Sequence, residues 1–357
     1  MGSFELLNVN NKNLWHEYLG RLPVDKQDVY FTPEYYSLYE KNGDGEANCF
    51  IFEKDGNIAL YPFLKNSVNQ LGYSLNNEFF DIQGAYGYNG VLTNSFDFNF
   101  IDQFYKSFDE YCNEKNIIAE FTRFHPLLGN HEFSKNHMQV IIDRETVALD
   151  LTLDYESIWL NEYSSKNRNM IRKAEKEGYI IEVIEAPSIS QIDSFIDIYT
   201  YSMKMANASE YYYFNRDFFY NTFIYLKEHT LLFNVLNNNK EVVCTSIFFT
   251  YGDFFHYHLS GRNEKASNVA NNFLLDEAIK FAKNKGAKLF YLGGGRSSDP
   301  NDSLLKFKGN FSENRVPFYV GKKIHNKAIY DQIIEQWIQK DITNKSKFSN
   351  RLLKYRY

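Results

Sequence analysis

Three consecutive strands joined by two tight turns, in the second half of the chain, constrain the fold most. The turns are polar or contain glycine, which is typical of hairpins. The predicted strands are 231–236, 241–250 and 254–260. A helix over 268–285 and a buried strand over 288–292 follow them. This order predicts a mixed α+β fold and differs from the regular alternation of a doubly wound dinucleotide-binding fold.

The length of the chain predicts two domains. It has 357 residues, of which 44% are hydrophobic, and that is more than one ordinary core holds. The first half repeats the order of the second in shorter form, with a helix capped by Thr32, a hairpin turning at Gly56, a helix over 97–115 and a strand over 117–124. The predicted first domain is therefore 1–145 and the second is 146–324, with a terminal helical segment over 325–357.

Positive charge is concentrated in two segments of a chain whose net charge is −6. One is 166–176, and the other is 339–357, where six cations face the single carboxylate of Asp341. The rest of the chain is acidic, which argues against a protein that binds nucleic acids over a broad basic surface and against DNA as a partner. It leaves room for local binding of an anion. The basic tail is a solvated terminus, a contact for tRNA, or a peripheral contact with an anionic membrane surface.

Cysteine usage and the N-terminal sequence predict a cytoplasmic protein. Cys49, Cys112 and Cys244 are widely spaced among apolar residues, as in reduced core cysteines, and no metal site is expected from them. The first residues lack the charged and apolar regions of a signal peptide. No window is apolar enough for a transmembrane helix.

A glycine turn follows the buried strand that ends at Leu292. Gly293, Gly294 and Gly295 allow a ligand to approach the backbone closely, so they are candidates for cofactor binding. Arg296 and Lys308 lie just beyond and would bind a phosphate or stabilise a developing negative charge. A purely structural surface turn is the alternative. Neither the phosphate loop of nucleotide triphosphatases nor a dinucleotide fingerprint is present.

A basic helix and a histidine-containing strand are two further candidate regions. Arg168 and Arg172 are four residues apart on one edge of a helix predicted over 155–177, either as a solvated face or as a clamp for phosphate or carboxylate. Period two places His256, His258 and Ser260 on one strand face, as a wall of a cleft or as ordinary packing. Too few ligands are near for a metal, and no nucleophile turn surrounds the serine.

Four blocks together resemble FemAB-like members of the GNAT superfamily of acyltransferases. The sequence over 166–178, KNRNMIRKAEKEG, resembles their basic helix signature, and Tyr86-Gly87-Tyr88-Asn89-Gly90 resembles their YGY loop. Tyr257-His258-Leu259-Ser260-Gly261 is similar to the end of one of their strands. The glycine turn together with 303–311, SLLKFKGNF, is similar to their last conserved block. The four blocks occur in the family's order between residues 86 and 311.

The resemblance implies two tandem GNAT-like domains with a cleft between them and a last helix that returns to the first domain. It implies acyl transfer to an amine. In one branch the donor is acyl-CoA and the acceptor is an amino sugar or a lipid- or nucleotide-linked sugar of surface polysaccharide. In the other, the donor is aminoacyl-tRNA and the acceptor a peptidoglycan precursor. The segment 261–268 lacks the usual GNAT pyrophosphate-loop pattern, yet the low overall positive charge favours acyl-CoA as the co-substrate.

The resemblance also implies roles for individual residues. Lys308 aligns with the family's lysine and would stabilise the oxyanion. Because a histidine ordinarily has a pKa near neutrality, His256 or His258 is the expected base, with Asp302 as an alternative base. The acceptor would be bound by the YGY loop, the basic helix, the histidine strand and the glycine turn, through Tyr86, Tyr88, Asn89, Arg168, Arg172, Tyr257, Ser260 and Arg296. Three classes stay open: an N-acyltransferase using acyl-CoA, an aminoacyl-tRNA-dependent transferase, and a non-catalytic binding protein.

Overall fold

A computed structural model of the protein describes residues 2–340 and 345–357. Its α-helices are α1 (Lys12–Gly20), α2 (Pro33–Asn42), α3 (Phe98–Glu114), α4 (Tyr155–Ser157), α5 (Ser165–Lys176), α6 (Ile189–Met205), α7 (Arg216–Tyr225), α8 (Ala270–Asn284), α9 (Ser303–Lys308), α10 (Lys327–Lys340) and α11 (Lys345–Phe348). A π-helical turn, Ile158–Glu162, follows α4.

The strands are β1 (Ser3–Asn8), β2 (Glu46–Lys54), β3 (Asn57–Ser67), β4 (Phe80–Gln83), β5 (Leu92–Thr93), β6 (Ile117–Arg123), β7 (Gln139–Asp150), β8 (Ile180–Ile184), β9 (Thr230–Leu236), β10 (Val242–Tyr251), β11 (Phe254–Arg262), β12 (Leu289–Gly294) and β13 (Arg315–Ile324). The chain divides into two compact units, of which unit 1 contains Met1–Asp143 and Phe318–Tyr357 and unit 2 contains Arg144–Pro317.

Unit 1 is a mixed sheet with helices on it. Its strands lie in the order β1, β2, β3, β4, β6 and β13, with β5 beside β3. The predicted hairpin is formed by β2 and β3, and its turn uses Asp55 and Gly56 at φ 50° and 81°. β4 pairs with β6 in parallel and β13 pairs with β6 antiparallel. Apolar residues of α3, including Phe104 and Phe108, pack on this sheet because the helix repeats them at helical spacing.

The C-terminal segment is built into unit 1. Tyr330, Ile333 and Trp337 of α10 join a second apolar cluster that also contains Tyr355. Arg356 Nε lies 2.7 Å from a carboxylate oxygen of Asp81, which is fully buried. The Tyr355 hydroxyl donates to the same carboxylate at 2.8 Å. This buried ion pair and its hydrogen bond hold the chain end against the sheet.

Unit 2 is also a mixed sheet, in the order β7, β12, β11, β10, β9 and β8. The three hairpin-linked strands predicted from sequence are β9, β10 and β11, all antiparallel. β12 pairs in parallel with β11 and antiparallel with β7. One apolar cluster includes Ile171 of α5 and Leu274 and Ala278 of α8, so these two helices cover one side. Both helices present an apolar stripe to it.

The predicted α+β organisation is confirmed, with three differences of detail. The helix predicted over 155–177 is broken, because the Ser164 hydroxyl accepts from the Asn167 backbone N–H at 3.1 Å and starts a new helix, α5. Residues 318–324 of β13 belong to unit 1 rather than to the second domain, because 320–324 pair with β6. The short helix α9 is additional to the elements predicted. In the described ranges, no helix combines the length and apolarity needed to cross a membrane.

Candidate functional site

The parallel strands β11 and β12 diverge inside unit 2. They pair from Phe254 with Leu289 to His256 with Tyr291, and no further. Beyond that point β11 pairs only with β10, up to Arg262, and β12 pairs only with β7, up to Gly294, among the strands described. Two parallel strands that separate open a wedge in the sheet, which is a common position for a ligand site.

Lys308 lies at this divergence. It is the last residue of α9, and only 7% of its surface is exposed. Its Nζ donates to the Gly294 carbonyl of β12 at 2.8 Å and lies 5.6 Å from the centroid of the Tyr257 ring of β11. The ammonium therefore sits between the two separating strands, with the aromatic face on one side and the glycine turn on the other.

Burial controls the charge of Lys308. Loss of solvation lowers the pKa of its ammonium to about 7, and the nearby Asp302 carboxylate raises it by less. An ordinary lysine stays protonated far above neutral pH. Lys308 can therefore gain or lose a proton at neutral pH, and among the described residues the Gly294 carbonyl is the one hydrogen-bond acceptor of its ammonium.

The glycine turn is shaped to admit this ammonium. Gly293 has φ +80°, a region that side-chain-bearing residues rarely adopt, and a Cβ there would lie 3.2 Å from Lys308 Nζ. A Cβ on Gly295 would lie 2.5 Å from Asp302 Oδ1. A glycine is thus favoured at 293 by its backbone conformation and by the nearby lysine, and at 295 by close approach to the carboxylate.

Asp302 is structural rather than a base. Its Oδ1 accepts from the backbone N–H groups of Leu304 and Leu305, at 2.9 and 3.1 Å, and caps α9. Its Oδ2 accepts from the backbone N–H groups of Arg296 and Ser297, at 3.1 and 3.2 Å. These bonds lower the pKa of Asp302 against the opposing effect of burial, so it is a poor proton acceptor. It fixes the loop from which Lys308 is presented.

The two arginines predicted as an anion clamp differ from one another. The Arg168 guanidinium donates to the carbonyls of Trp159 and Leu160, at 3.1 and 3.2 Å, and also to Tyr163. It satisfies the end of the π-helical turn, so its predicted ligand role is not supported. Arg172 is exposed and lies over the Trp159 ring at 5.3 Å. It keeps donors that can reach solvent or an anionic ligand.

The histidine strand also departs from its prediction. The register of β10 and β11 shifts at Ile247 and Phe248, so His258 is the extra residue of a β-bulge. Ser260 consequently pairs with Ser246 and does not share a face with His256, and its hydroxyl donates to the Thr245 carbonyl at 3.1 Å. Burial lowers the pKa of His258 to about 3, so the near-neutral value behind its predicted role as a base is wrong. His256 is fully buried.

The YGY loop belongs to unit 1. Asn89 is fully buried, and its Oδ1 accepts from the Arg123 backbone N–H at 2.9 Å while its own N–H donates to the Arg123 carbonyl at 2.7 Å. It forms a parallel bridge with Phe124 at the end of β6 and holds the loop, so the predicted acceptor contact by Asn89 is not supported. Tyr88 is half-buried, with its ring 5.1 Å from Tyr30, and the Tyr86 carbonyl accepts from the Tyr35 hydroxyl.

The structure thus brings four predicted residues together, Lys308, Gly293, Gly294 and Tyr257. Arg296 is exposed on the same loop as Asp302. Sequence reasoning missed the capping role of this aspartate, although an Asp followed directly by Ser-Leu-Leu-Lys is a recognisable helix start. It also missed Asp276, a buried carboxylate that accepts from the hydroxyls of Tyr155 and Tyr163 at 2.7 and 3.0 Å.

Comparisons with known proteins found one family model and one sequence relative that are similar to parts of this chain. Residues 162–302 match the family model described as an acetyltransferase (GNAT) domain. The UDP-N-acetylmuramoylpentapeptide-lysine N(6)-alanyltransferase of Weissella viridescens is 24% identical over 229 residues, which are 61% of this chain and 67% of that protein. The matched model includes β11 and the glycine turn but ends before Lys308.

Two solved structures share the fold. FemX superimposes with a TM-score of 0.67 over 92% of this chain and 99% of its own, at 13% identity. A tandem GNAT protein from the clavulanic acid biosynthesis pathway gives 0.52 over 90% of this chain and 98% of its own, at 7% identity. The predicted fold of two tandem GNAT-like domains is confirmed, as is the resemblance to FemAB-like proteins. The sequence relative is named as an alanyltransferase, whereas the co-substrate expected for this chain was acyl-CoA.

Proposed function

We propose that the protein transfers an amino acid from an aminoacyl-tRNA to an amino group of a peptidoglycan precursor. One combined observation carries this proposal. A sequence relative is named as an alanyltransferase, and a buried lysine lies where two parallel strands diverge. The name of this relative specifies a lysine side chain of a nucleotide-linked pentapeptide as its acceptor. We therefore infer an acceptor of the same chemical class here.

The chemistry requires a positive charge beside the reacting carbonyl. The acceptor amine attacks the ester carbon of the donor, and negative charge develops on the carbonyl oxygen before the tRNA hydroxyl leaves. Protonated Lys308 would stabilise that oxygen from a site with little competing water. Because its pKa is near 7, the same group can give its proton to the leaving tRNA oxygen, which becomes the hydroxyl, and regain a proton from the one that the attacking amine nitrogen releases. Arg172, Arg296 and Tyr88 stay as candidate contacts for the acceptor.

A second candidate is N-acyl transfer from acyl-CoA to an amino sugar. It is favoured by the match to a family model described as an acetyltransferase domain. It is disfavoured by the segment 261–268, which lacks the pyrophosphate-loop pattern. A charged lysine would serve either donor, since an ester and a thioester pass through the same type of tetrahedral oxyanion.

A direct transfer assay separates these candidates. The purified protein is incubated with labelled alanyl-tRNA, seryl-tRNA, glycyl-tRNA or acetyl-CoA, each with a lysine-containing nucleotide-linked pentapeptide or with an amino-sugar nucleotide. We expect label to pass from an aminoacyl-tRNA to the pentapeptide. Transfer from acetyl-CoA alone would replace the proposal by the second candidate. Binding of donor or acceptor without any transfer would favour a non-catalytic protein.

The lysine pair of α9 provides a matched control. Lys306 is exposed, and its Nζ donates to the Asn301 side chain at 2.9 Å. Lys306→Met removes one positive charge from the same helix without touching the strand divergence. We expect Lys308→Met to lower kcat/KM by about a hundredfold or more, as for other oxyanion donors, and Lys306→Met to leave it within about threefold. Equal losses would show that only the charge of the helix matters.

A further inference from the structure

An apolar cavity opens in unit 1 at the start of α3. Its volume is about 280 Å³, and its lining is mostly apolar. The lining residues are Lys26, Phe96, Phe98, Ile101, Leu128, Gly129, Glu132 and Phe133. Pockets for drug-sized molecules measure roughly 300–1,000 Å³, so this one is small for an enclosed ligand. Its size suits one group of a larger partner that lies against the protein surface.

Two phenylalanines stand out of the protein at the mouth of this cavity. Phe96 is 77% exposed and Phe98 is 67% exposed, whereas large aromatic side chains are usually buried. The other rings and aliphatic groups of the lining are buried or partly buried beneath them. We call the cavity and these two rings the Phe96–Phe98 surface. Exposed apolar area of this kind marks interaction sites.

The loop that carries the two rings is held by hydrogen bonds. The Ser95 backbone N–H donates to the Thr93 hydroxyl at 3.0 Å, and the Asp97 N–H donates to the Ser95 hydroxyl at 3.2 Å. The Asp97 carboxylate in turn accepts from the Asn99 N–H at 2.9 Å and caps α3. The rings are therefore presented outward by an ordered turn, which reduces the entropy lost when they enter a partner.

The charges around the surface are not equivalent. Glu132 is paired with Lys135 at 2.5 Å and with His131 at 3.0 Å, and Asp97 lies at a helix N-terminus, where negative charge is favoured. The Lys26 ammonium has no hydrogen bond or ion pair with any residue that the structure describes. The available charge on the cavity lining is thus a cation. Asp25, the exposed residue before Lys26 in the chain, would repel an anionic partner.

We propose that the Phe96–Phe98 surface docks on a phospholipid bilayer, with both rings entering the acyl region and Lys26 contacting lipid phosphate. The apolar lining matches acyl chains, and the unpaired ammonium matches a phosphate. Contact would be peripheral, because the described ranges contain no helix able to span a membrane. None of the residues proposed for transfer belongs to this surface, so the docking proposal can be tested independently of the transfer reaction.

Vesicle binding of the full chain tests this docking. Partition into vesicles of phosphatidylglycerol and phosphatidylethanolamine is measured by flotation. We expect Phe96→Ser with Phe98→Ser to weaken partition about tenfold or more, because two exposed rings are lost. Lys26→Gln should weaken it about fivefold, and Asp25→Asn should strengthen it. A Phe96→Trp variant should shift its emission to the blue on adding vesicles.

A matched control and a second readout keep the docking falsifiable. Ile224, 63% exposed on α7 of unit 2, is changed to Ser and should partition as the wild type does. Transfer to a soluble acceptor should be unchanged in the double phenylalanine variant. Wild-type partition that survives this double change overturns the proposal, as does failure of the wild type to bind vesicles. A dimer that dissociates on the same change would assign the surface to a second copy instead.

Discussion

Replacing Lys308 with Met should lower kcat/KM about a hundredfold and make the protein more stable. Lys308 is almost completely buried, and its ammonium loses the solvation that an unfolded chain would give it. The pKa is about 7 in the folded protein against 10.5 for a free side chain, and each pKa unit is about 1.36 kcal/mol. The charge therefore costs up to about 5 kcal/mol near pH 7. The lost hydrogen bond to Gly294 offsets about 1 kcal/mol of the gain.

The gain should depend on pH in a defined direction. Between pH 7 and about 10.5 the unfolded chain keeps the lysine proton that the folded protein has released. The free energy of unfolding of the wild type therefore rises with pH through this window. Below pH 7 the full free-energy cost of burying the Lys308 charge is present. The advantage of Lys308→Met should be largest at pH 6.5 and should shrink steadily toward pH 10.

Urea unfolding at several pH values measures both quantities. The free energy of unfolding of Lys308→Met is compared with that of wild type and of Lys306→Met at pH 6.5, 8 and 9.5. We expect a stabilisation of about 2–4 kcal/mol at the lowest pH, with kcat/KM reduced about a hundredfold. A variant that is less stable than wild type at pH 6.5, or a difference that does not change with pH, would refute the assignment of Lys308 as a costly buried cation.

Three further substitutions separate structural from functional roles. Gly293→Ala should destabilise the protein by about 1–2 kcal/mol and lower kcat/KM. Gly286→Ala, at φ +85° in open space, should be destabilised by backbone strain without a loss of kcat/KM. Equal kcat/KM in the two variants would contradict a special role for the turn at Gly293. Arg356→Met should cost about 3–5 kcal/mol in urea unfolding by leaving a buried carboxylate unpaired, and adding Asp81→Asn should recover much of it. Asn89→Ala should cost about 1–3 kcal/mol with KM for the acceptor unchanged, so a raised KM would restore its predicted binding role.

The basic tail illustrates how charge in a sequence differs from charge available on a surface. Lys340 Nζ donates to the carbonyls of Leu71 and Gly72, at 2.9 and 3.1 Å, and Arg356 is committed to a buried carboxylate. Asp341 lies outside the described residues. Fewer cations than predicted are thus available from the tail for tRNA or a membrane, although contact through exposed Lys347 and Arg351 stays a prediction.

The sequence by itself determined the class of fold, because alternation, hairpin turns and helical spacing are local properties of the chain. It also indicated Lys308 and the glycine turn, through motifs whose spacing is read along the chain. Only the tertiary structure decided which cations are free, since Arg168 and Arg172 look alike in sequence and differ in what surrounds them. The same holds for His258, because a one-residue bulge and burial change both its neighbours and its pKa. Desolvation and register arise from contacts between distant segments, so no local pattern contains them.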